Sequence, residues 1–347
     1  MIRVLALMCR CSACLVCAAL VSCGGGSGGG SPTDPATPAE STYSVTVTVF
    51  YDENANGQLD AAEGARVPGV EVVIGAGEGT SGQGTGQAVV SGIRAGNHTI
   101  TVRTESLPFF YQAGAGPAIT VPGTSTARYP LTLPIGDNNR NFYMGFGDSI
   151  TAGDGSSDGE GYRPGLQSRL GRHFARAEVR LRGREADTSS ESAEVIRRDL
   201  RDYKPAYTLV LLGTNDWHRC QSIAPADCFT IGALRSILQE VKAWDSLPVL
   251  GTVPPVNPAL APAGRNDWIE ELNVHIGALA REQGALLADV NAAFKAQGSL
   301  PPLFDDDVHP SDAGYDVLAQ AWFEAISNAR SVSAAGGWRE FGVSLGR

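Results

Sequence analysis

Phe142-Tyr143-Met144-Gly145-Phe146-Gly147-Asp148-Ser149-Ile150 is the stretch on which the fold turns. Its first five residues carry no charge, and a Gly-Asp-Ser triplet follows directly. A continuous apolar run of this kind reads as a strand buried on both faces, as parallel sheets contain. Thr208-Leu209-Val210-Leu211-Leu212 repeats the pattern and runs into Gly213-Thr214-Asn215-Asp216. Weaker versions cover residues 248–253 and 285–290. Helical signals lie between them. Thr188-Ser189-Ser190-Glu191 has the form of a capping box. Ile231, Leu234, Leu238 and Val241 fall at helical spacing, as do Leu318, Trp322 and Ile326 behind a Ser311 cap. Strands alternating with helices predict an α/β domain with a doubly wound parallel sheet and right-handed crossovers. Ligands of such sheets sit at the carboxyl ends of strands.

The reactive side chains fall at those ends. Ser149 supplies a hydroxyl and Asn215 an amide. Asp306-Asp307-Val308-His309 places a carboxylate three residues before an imidazole, ahead of the last helix. Acyl transfer needs these parts: a nucleophile, a base, a group that orients the base, and donors for the oxyanion. Of five histidines, only His309 has this setting. His218, close to Asn215, reads either as a pocket residue or as an ordinary loop residue. Asp305, Asp306 and Asp307 read as a solvated acidic loop with one catalytic member rather than as a metal cluster. The glycines at 153 and 155 follow the serine without the lysine of a phosphate loop, so nucleotide binding is set aside.

These three blocks, in this order, resemble the SGNH (GDSL) hydrolase family over residues 140–330. Gly147-Asp148-Ser149-Ile150 corresponds to its block I, Gly213-Thr214-Asn215-Asp216 to block III, and Asp306 to His309 to block V. The resemblance implies a flavodoxin-like sheet and esterase chemistry without a catalytic cofactor. It implies Ser149 as nucleophile and, through its own N–H, as oxyanion donor. His309 is then the general base, Asp306 its orienting partner, and Asn215 a second oxyanion donor. Block II departs from the family pattern. Leu181-Arg182-Gly183-Arg184-Glu185-Ala186 puts Ala186 where the family has a glycine whose N–H serves the oxyanion. An alanine keeps that donor without strain only at negative φ. Gly183 is the alternative donor if the loop shifts.

The chain begins with Arg3, Arg10 and a short apolar run at residues 11–21, the form of a signal peptide rather than of a membrane span. Leu20-Val21-Ser22-Cys23 resembles the bacterial lipobox, which implies cleavage after residue 22 and a lipid on Cys23. An exported lipoprotein of the outer membrane, cell surface or periplasm of a bacterium is therefore expected, held to the membrane through Cys23. Four of the seven cysteines lie within residues 1–22. With Cys23 lipidated, Cys220 and Cys228 remain, and an oxidising compartment favours a disulfide between them over two free thiols. Residues 23–41 form a Gly/Ser/Pro linker.

Residues 42–135 read as a small Ig-like all-β sandwich. Val45, Val47 and Val49 alternate with Ser44, Thr46 and Thr48, the period of a half-buried strand. Further strands are expected at 70–74, 99–102 and 129–133. Within this region residues 52–63 match the twelve-residue calcium-loop template. Asp52, Asn54, Asn56, Asp60 and Glu63 provide side-chain oxygens, Gln58 offers its carbonyl, and Gly57 makes the sharp turn. The strand-like flanks and the Gly69-Val70-Glu71-Val72 that follows resemble the B-type (SdrD B-like, Cna-B-like) domains of bacterial surface proteins. That implies a spacer or adhesion module with structural Ca2+.

Charge excludes one class of partner. The net charge is −10, and no basic run supports a nucleic-acid surface. Two readings stand at this point. One is an exported, lipid-anchored serine esterase acting on acetylated glycan or on lipid esters, a lysophospholipase or lipase type included. The other is a surface binding lipoprotein whose hydrolase domain is inert. Residues 331–347 form a tail with no pattern.

Overall fold

The computed structural model describes residues 40–328. Cys23, the signal region, most of the linker and the 331–347 tail lie outside the described residues.

The first half consists of two four-stranded sheets. β1 (Thr42–Tyr51), β4 (Gln87–Arg94), β6 (Gln112–Ala113) and β8 (Thr126–Thr132) form one, in the order β4-β1-β8-β6. β2 (Glu71–Ile74), β3 (Gly77–Thr80), β5 (Gly96–Val102) and β7 (Ala118–Val121) form the other, in the order β3-β2-β5-β7. The second sheet is antiparallel throughout, whereas the first is mixed, because β1 runs parallel to β8. Alternation in β1 works as its sequence demands. Val45, Val47 and Val49 are wholly buried, while Thr46 and Thr48 are half-buried. They share a core with Val72, Ile74, Ile100 and Val121 of the other sheet.

The second half is a five-stranded sheet built from β9 (Asn139–Gly147), β10 (Glu178–Gly183), β11 (Pro205–Leu211), β12 (Leu247–Gly251) and β13 (Leu286–Ala288). The order is β10-β9-β11-β12-β13, and every pair is parallel. That is the flavodoxin-like order, in which the strand sequence reverses between β9 and β11. Helices cover both faces. Tyr143, Leu209, Leu211 and Val249 face a core shared with α2 (Arg163–Phe174), α7 (Val290–Lys295) and α8 (Asp312–Ser327). Met144, Phe146, Val210 and Leu250 face the opposite core, with α3 (Ser189–Tyr203), α5 (Thr230–Ala243) and α6 (Arg265–Gln283). Because alternate residues of each strand are buried on opposite sides, these strands read as unbroken apolar runs. Each fully buried aliphatic or aromatic side chain contributes about 1.5–3 kcal/mol.

The expected capping box at α3 is present: Thr188 accepts from the Glu191 N–H, and Glu191 accepts from the Thr188 N–H. Ser311 precedes α8, but its hydroxyl donates to the Pro302 carbonyl at 3.0 Å instead of capping the helix. No helix among the described residues is long and apolar enough to cross a membrane.

Candidate active site

β9 ends at Gly147, and the chain turns at once into the short helix α1 (Ser149–Ala152). Asp148 is the N-cap. Its Oδ1 accepts the Ile150 N–H at 3.1 Å, which sets Ser149 as the first helical residue, where N–H groups have no partner inside the helix. The turn is tight enough to need glycine beside it. A Cβ on Gly183, at the end of β10, would lie 2.8 Å from the Asp148 carbonyl oxygen.

Residues 305–310 bring the imidazole to this turn. The Asp305 N–H donates to the His309 carbonyl at 2.9 Å and closes the loop. Asp306 Oδ1 accepts the N–H groups of Val308 and His309, at 2.8 and 2.7 Å. Its Oδ2 lies 2.7 Å from His309 Nδ1, and His309 Nε2 lies 2.9 Å from Ser149 Oγ. The pattern assigns the proton to Nδ1 and leaves Nε2 facing the hydroxyl. Partial burial pushes the Asp306 carboxyl up, but the hydrogen bonds from His309 and Val308 outweigh it and hold the group below its ordinary range. Gly155, at φ +87°, packs on this loop, and a Cβ there would stand 3.0 Å from the His309 Cβ. The three residues singled out on spacing thus form one hydrogen-bonded chain from carboxylate to hydroxyl.

Asn215 follows β11, the strand that pairs with β9 at Leu211 and Gly147. Its Nδ2 donates to the Asp187 carbonyl at 3.1 Å, so the amide lies against the 184–188 loop. That loop is pinned at its start by the Arg184 N–H, which donates to the Gly147 carbonyl at 3.0 Å, and by an Arg184–Asp199 ion pair. Ala186 sits in it at φ +58°. The alanine therefore occupies the left-handed region, the strained alternative of the two that the sequence left open. Its N–H has no acceptor among the described residues. Gly183, the other candidate, lies within β10 in register with Gly147, where its lack of a side chain serves close packing.

Sequence reasoning missed the residues that hold these blocks in place. Asp216, wholly buried, accepts from the Ser189 N–H and hydroxyl at 2.9 and 2.6 Å and from the Thr230 hydroxyl at 2.5 Å. It ties block III to the starts of α3 and α5. Asn257 donates from Nδ2 to the Asp306 carbonyl at 3.2 Å and from its backbone to the Asp307 carbonyl at 2.9 Å. Asp216 stood inside a quoted motif, whereas Asn257 carried no signal of spacing or composition. His218 is exposed on α4 (Trp217–Cys220). Cys220 and Cys228 are joined as a disulfide, with Cα atoms 5.8 Å apart.

The 52–63 loop lies away from this site. Asp52 accepts the N–H groups of Asn56 and Gly57 at 3.2 and 2.7 Å, and Glu63 those of Glu53 and Asp60 at 2.8 and 3.0 Å. Both carboxylates are only 3% exposed. Asn54 and Asn56 donate from Nδ2 to Asp60, and the Gln58 N–H donates to Asn56 Oδ1 at 2.7 Å. Gly57 takes φ +77°, as the template's sixth position requires. Oxygen donors in one tight loop suit Ca2+ chemically. However, among the described residues no group of three or more His, Cys, Asp or Glu is gathered as a metal cluster.

Residues 146–317 match the family model of the GDSL-like lipase/acylhydrolases, and all three blocks fall inside the match. Among solved structures, the chain is similar to a catalytic mutant of Axe2, an acetylxylan esterase from Geobacillus stearothermophilus, at 22% identity and TM-score 0.46, over 56% of this chain and 97% of that one. It is also similar to a GDSL-like lipase from Bacteroides thetaiotaomicron, at 22% identity and TM-score 0.43, over 54% and 87%. A lipase/acylhydrolase from Enterococcus faecalis gives 21% identity and TM-score 0.46, over 54% and 95%. No curated protein matches significantly. With blocks I and III at the ends of the neighbouring strands β9 and β11 and block V brought to them by the loop before α8, residues 146–317 form a domain of the GDSL-like lipase/acylhydrolase family.

Proposed function

We propose that this chain is an exported, lipid-anchored serine ester hydrolase that works through an acyl-enzyme. The observation that carries the reading is the chain Asp306–His309–Ser149, with contacts of 2.7 and 2.9 Å. In the proposed cycle His309 Nε2 takes the Ser149 proton as Oγ attacks the ester carbonyl. The oxyanion is met by the N–H groups of Ser149 and Ala186 and by the Asn215 amide. Of the two block II candidates, Ala186 is preferred because its loop is the one that Asn215 touches. His309 then gives its proton to the leaving alcohol, and water releases the acyl group by the same steps in reverse roles. Asp306 holds the tautomer and stabilises the imidazolium.

The proposed substrates are short acyl esters, O-acetyl groups on polysaccharide foremost. The segment after the nucleophile, Gly153-Asp154-Gly155-Ser156-Ser157-Asp158-Gly159, is small and polar and offers little apolar surface to a long chain. Lipid esters are the alternative class, and the proposed lipid on Cys23 would bring such substrates near. The two N-terminal sheets are proposed as an Ig-like, B-type module with Ca2+ held by Asp52, Asn54, Asn56, Asp60, Glu63 and the Gln58 carbonyl. There the ion would be structural.

The second reading, a surface binding lipoprotein with an inert hydrolase domain, has one observation in its favour: Ala186 in a strained conformation at the oxyanion position. Hydrolysis of p-nitrophenyl esters from acetyl to long chain, with a Ser149→Ala variant beside the wild type, separates the readings. Turnover that falls at least 10³-fold in the variant and is fastest for acetyl is the expected result. A long-chain optimum would move the substrate to lipid. Folded protein with no turnover above the variant would move the assignment to the binding reading.

A further inference from the structure

Arg265 is the one lysine or arginine among the described residues that is buried, at 2% exposure. Taking a guanidinium out of water is costly unless its donors are used. It begins α6, beyond any motif, and reaches toward the active-site end of the sheet. Its Nη2 donates to the Thr214 carbonyl at 3.2 Å, and Thr214 is the neighbour of Asn215. Its Nη1 lies 3.4 Å from Asp307 Oδ2, and Asp307 is the neighbour of Asp306. Asp307 and Asp306 both act on its charge. One rigid fork therefore touches the two loops that carry an oxyanion donor and the orienting carboxylate.

The surroundings make this contact a brace. The same helix grips the loop after β12, with Asn266 and Asn273 each exchanging hydrogen bonds with the backbone, at Val256 and Val253 respectively. Asn257, at the end of that loop, holds the Asp306 and Asp307 carbonyls. The block III and block V loops come from different strand–helix units. Among the described residues, Arg265 is the side chain that bonds to both.

We propose that Arg265 is a positioning residue that fixes the spacing between the Asn215 oxyanion donor and the Asp306–His309 pair. This rests on the esterase reading of the site. Arg265 touches neither Ser149 nor His309, so its loss should leave substrate binding alone and misplace groups that meet only in the transition state.

The test compares Arg265→Lys and Arg265→Met with wild type in p-nitrophenyl acetate hydrolysis, each corrected for the folded fraction by circular dichroism. The expected order of kcat is Arg, then Lys, then Met, with a loss of roughly 10-fold for Lys and up to about 100-fold for Met. KM should stay within about threefold of wild type. Lys keeps the buried charge but cannot span both partners, so it carries the test if Met does not fold. Either folded variant retaining wild-type kcat overturns the proposal, as does a loss confined to KM. A proton resonance of the His309 Nδ1–H bonded to Asp306 gives a readout that needs no turnover. Its broadening or shift in the Lys variant supports the brace, and an unchanged resonance overturns it. Wild type lacking turnover above Ser149→Ala would sink the esterase reading, while the resonance would still decide the role of Arg265.

Discussion

Ala186 stands where the family pattern has a glycine, and its φ of +58° lies in the left-handed region. A left-handed alanine costs about 1–2 kcal/mol, and glycine returns about 0.4–1 kcal/mol of that through the freedom of the unfolded chain. Ala186→Gly is thus expected to stabilise by up to about 1.6 kcal/mol in denaturant unfolding, with kcat unchanged or higher. A loss of stability would show that the loop depends on the methyl group. Asp148 is a second case, and it titrates. Burial pushes its carboxyl up to about 7, and its Oδ2 has no hydrogen-bond partner among the described residues. Between the ordinary carboxylate range near 4 and pH 7, the folded protein keeps a proton that the unfolded chain releases. The stabilising contribution is therefore complete below about pH 4 and is lost as pH rises through about 7. At about 1.4 kcal/mol per pKa unit, the loss is on the order of a few kcal/mol. Asp148→Asn keeps the acceptor for the Ile150 N–H and does not titrate. Its melting temperature should fall less than that of wild type from pH 4 to pH 8. Equal slopes in the two proteins would place the titration elsewhere.

What could be read in the elements depended on whether local pattern or distant contact made them. β9 and β11 were legible because burial on both faces leaves an unbroken apolar run. The α3 start was legible because a capping box is a contact across three residues. β6 and β7 were not, since Gln112–Ala113 is short and exposed, Ala118–Val121 is short and half exposed, and both gain their strand character from their partners β8 and β5. The 285–290 run was read too long. Leu286–Ala288 is strand, and Asp289 then caps α7 through the Ala292 N–H. Ser311 had the residue type of a cap, but the nearby Pro302 carbonyl claims its hydroxyl. At the site, Ser149, Asn215, Asp306 and His309 were legible as motif residues. Their supports at Asp216, Asn257 and Arg265 were not assigned, because a bond between residues tens of positions apart leaves no period or spacing behind.

The two halves of the molecule meet through apolar and polar contacts that bear on the proposed calcium loop. Phe110 packs edge-on against Tyr207 of β11 with centroids 6.1 Å apart, and Tyr111 stacks on Phe174 of α2 at 6.1 Å. Around this contact the residues at the start of the parallel sheet hold the 52–63 loop from outside. Arg140 donates to the Glu53 carbonyl at 2.9 Å, Asn141 to Glu53 Oε1 at 2.8 Å, and Arg176 to the Ala62 carbonyl at 3.0 Å. Asn139, Arg140 and Asn141 open β9, whose far end carries Ser149. An ion held by Asp52 and Glu63 would therefore stiffen a surface on which the catalytic sheet rests. Calcium should raise the unfolding midpoint of the whole protein in a single transition, by about 2.7 kcal/mol of stability at a hundredfold excess over Kd. Glu63→Gln should abolish that increment and leave the calcium-free midpoint within a few degrees of wild type. Asn141→Ala should keep calcium binding but lower stability by the value of a hydrogen bond to a charged group, about 1.5–3 kcal/mol, and by a further cost of up to about 1–2 kcal/mol because residue 141 sits at φ +60°, where alanine is strained. Scanning calorimetry with and without a chelator reads all three. If calcium leaves the wild-type midpoint unmoved, the loop is a polar turn and no more. If calcium moves only the first of two separated transitions, the loop binds the ion but its grip on the catalytic sheet is too weak to couple the halves. A single transition that moves as one would make the N-terminal sheets part of the hydrolase's own stability rather than a spacer in front of it.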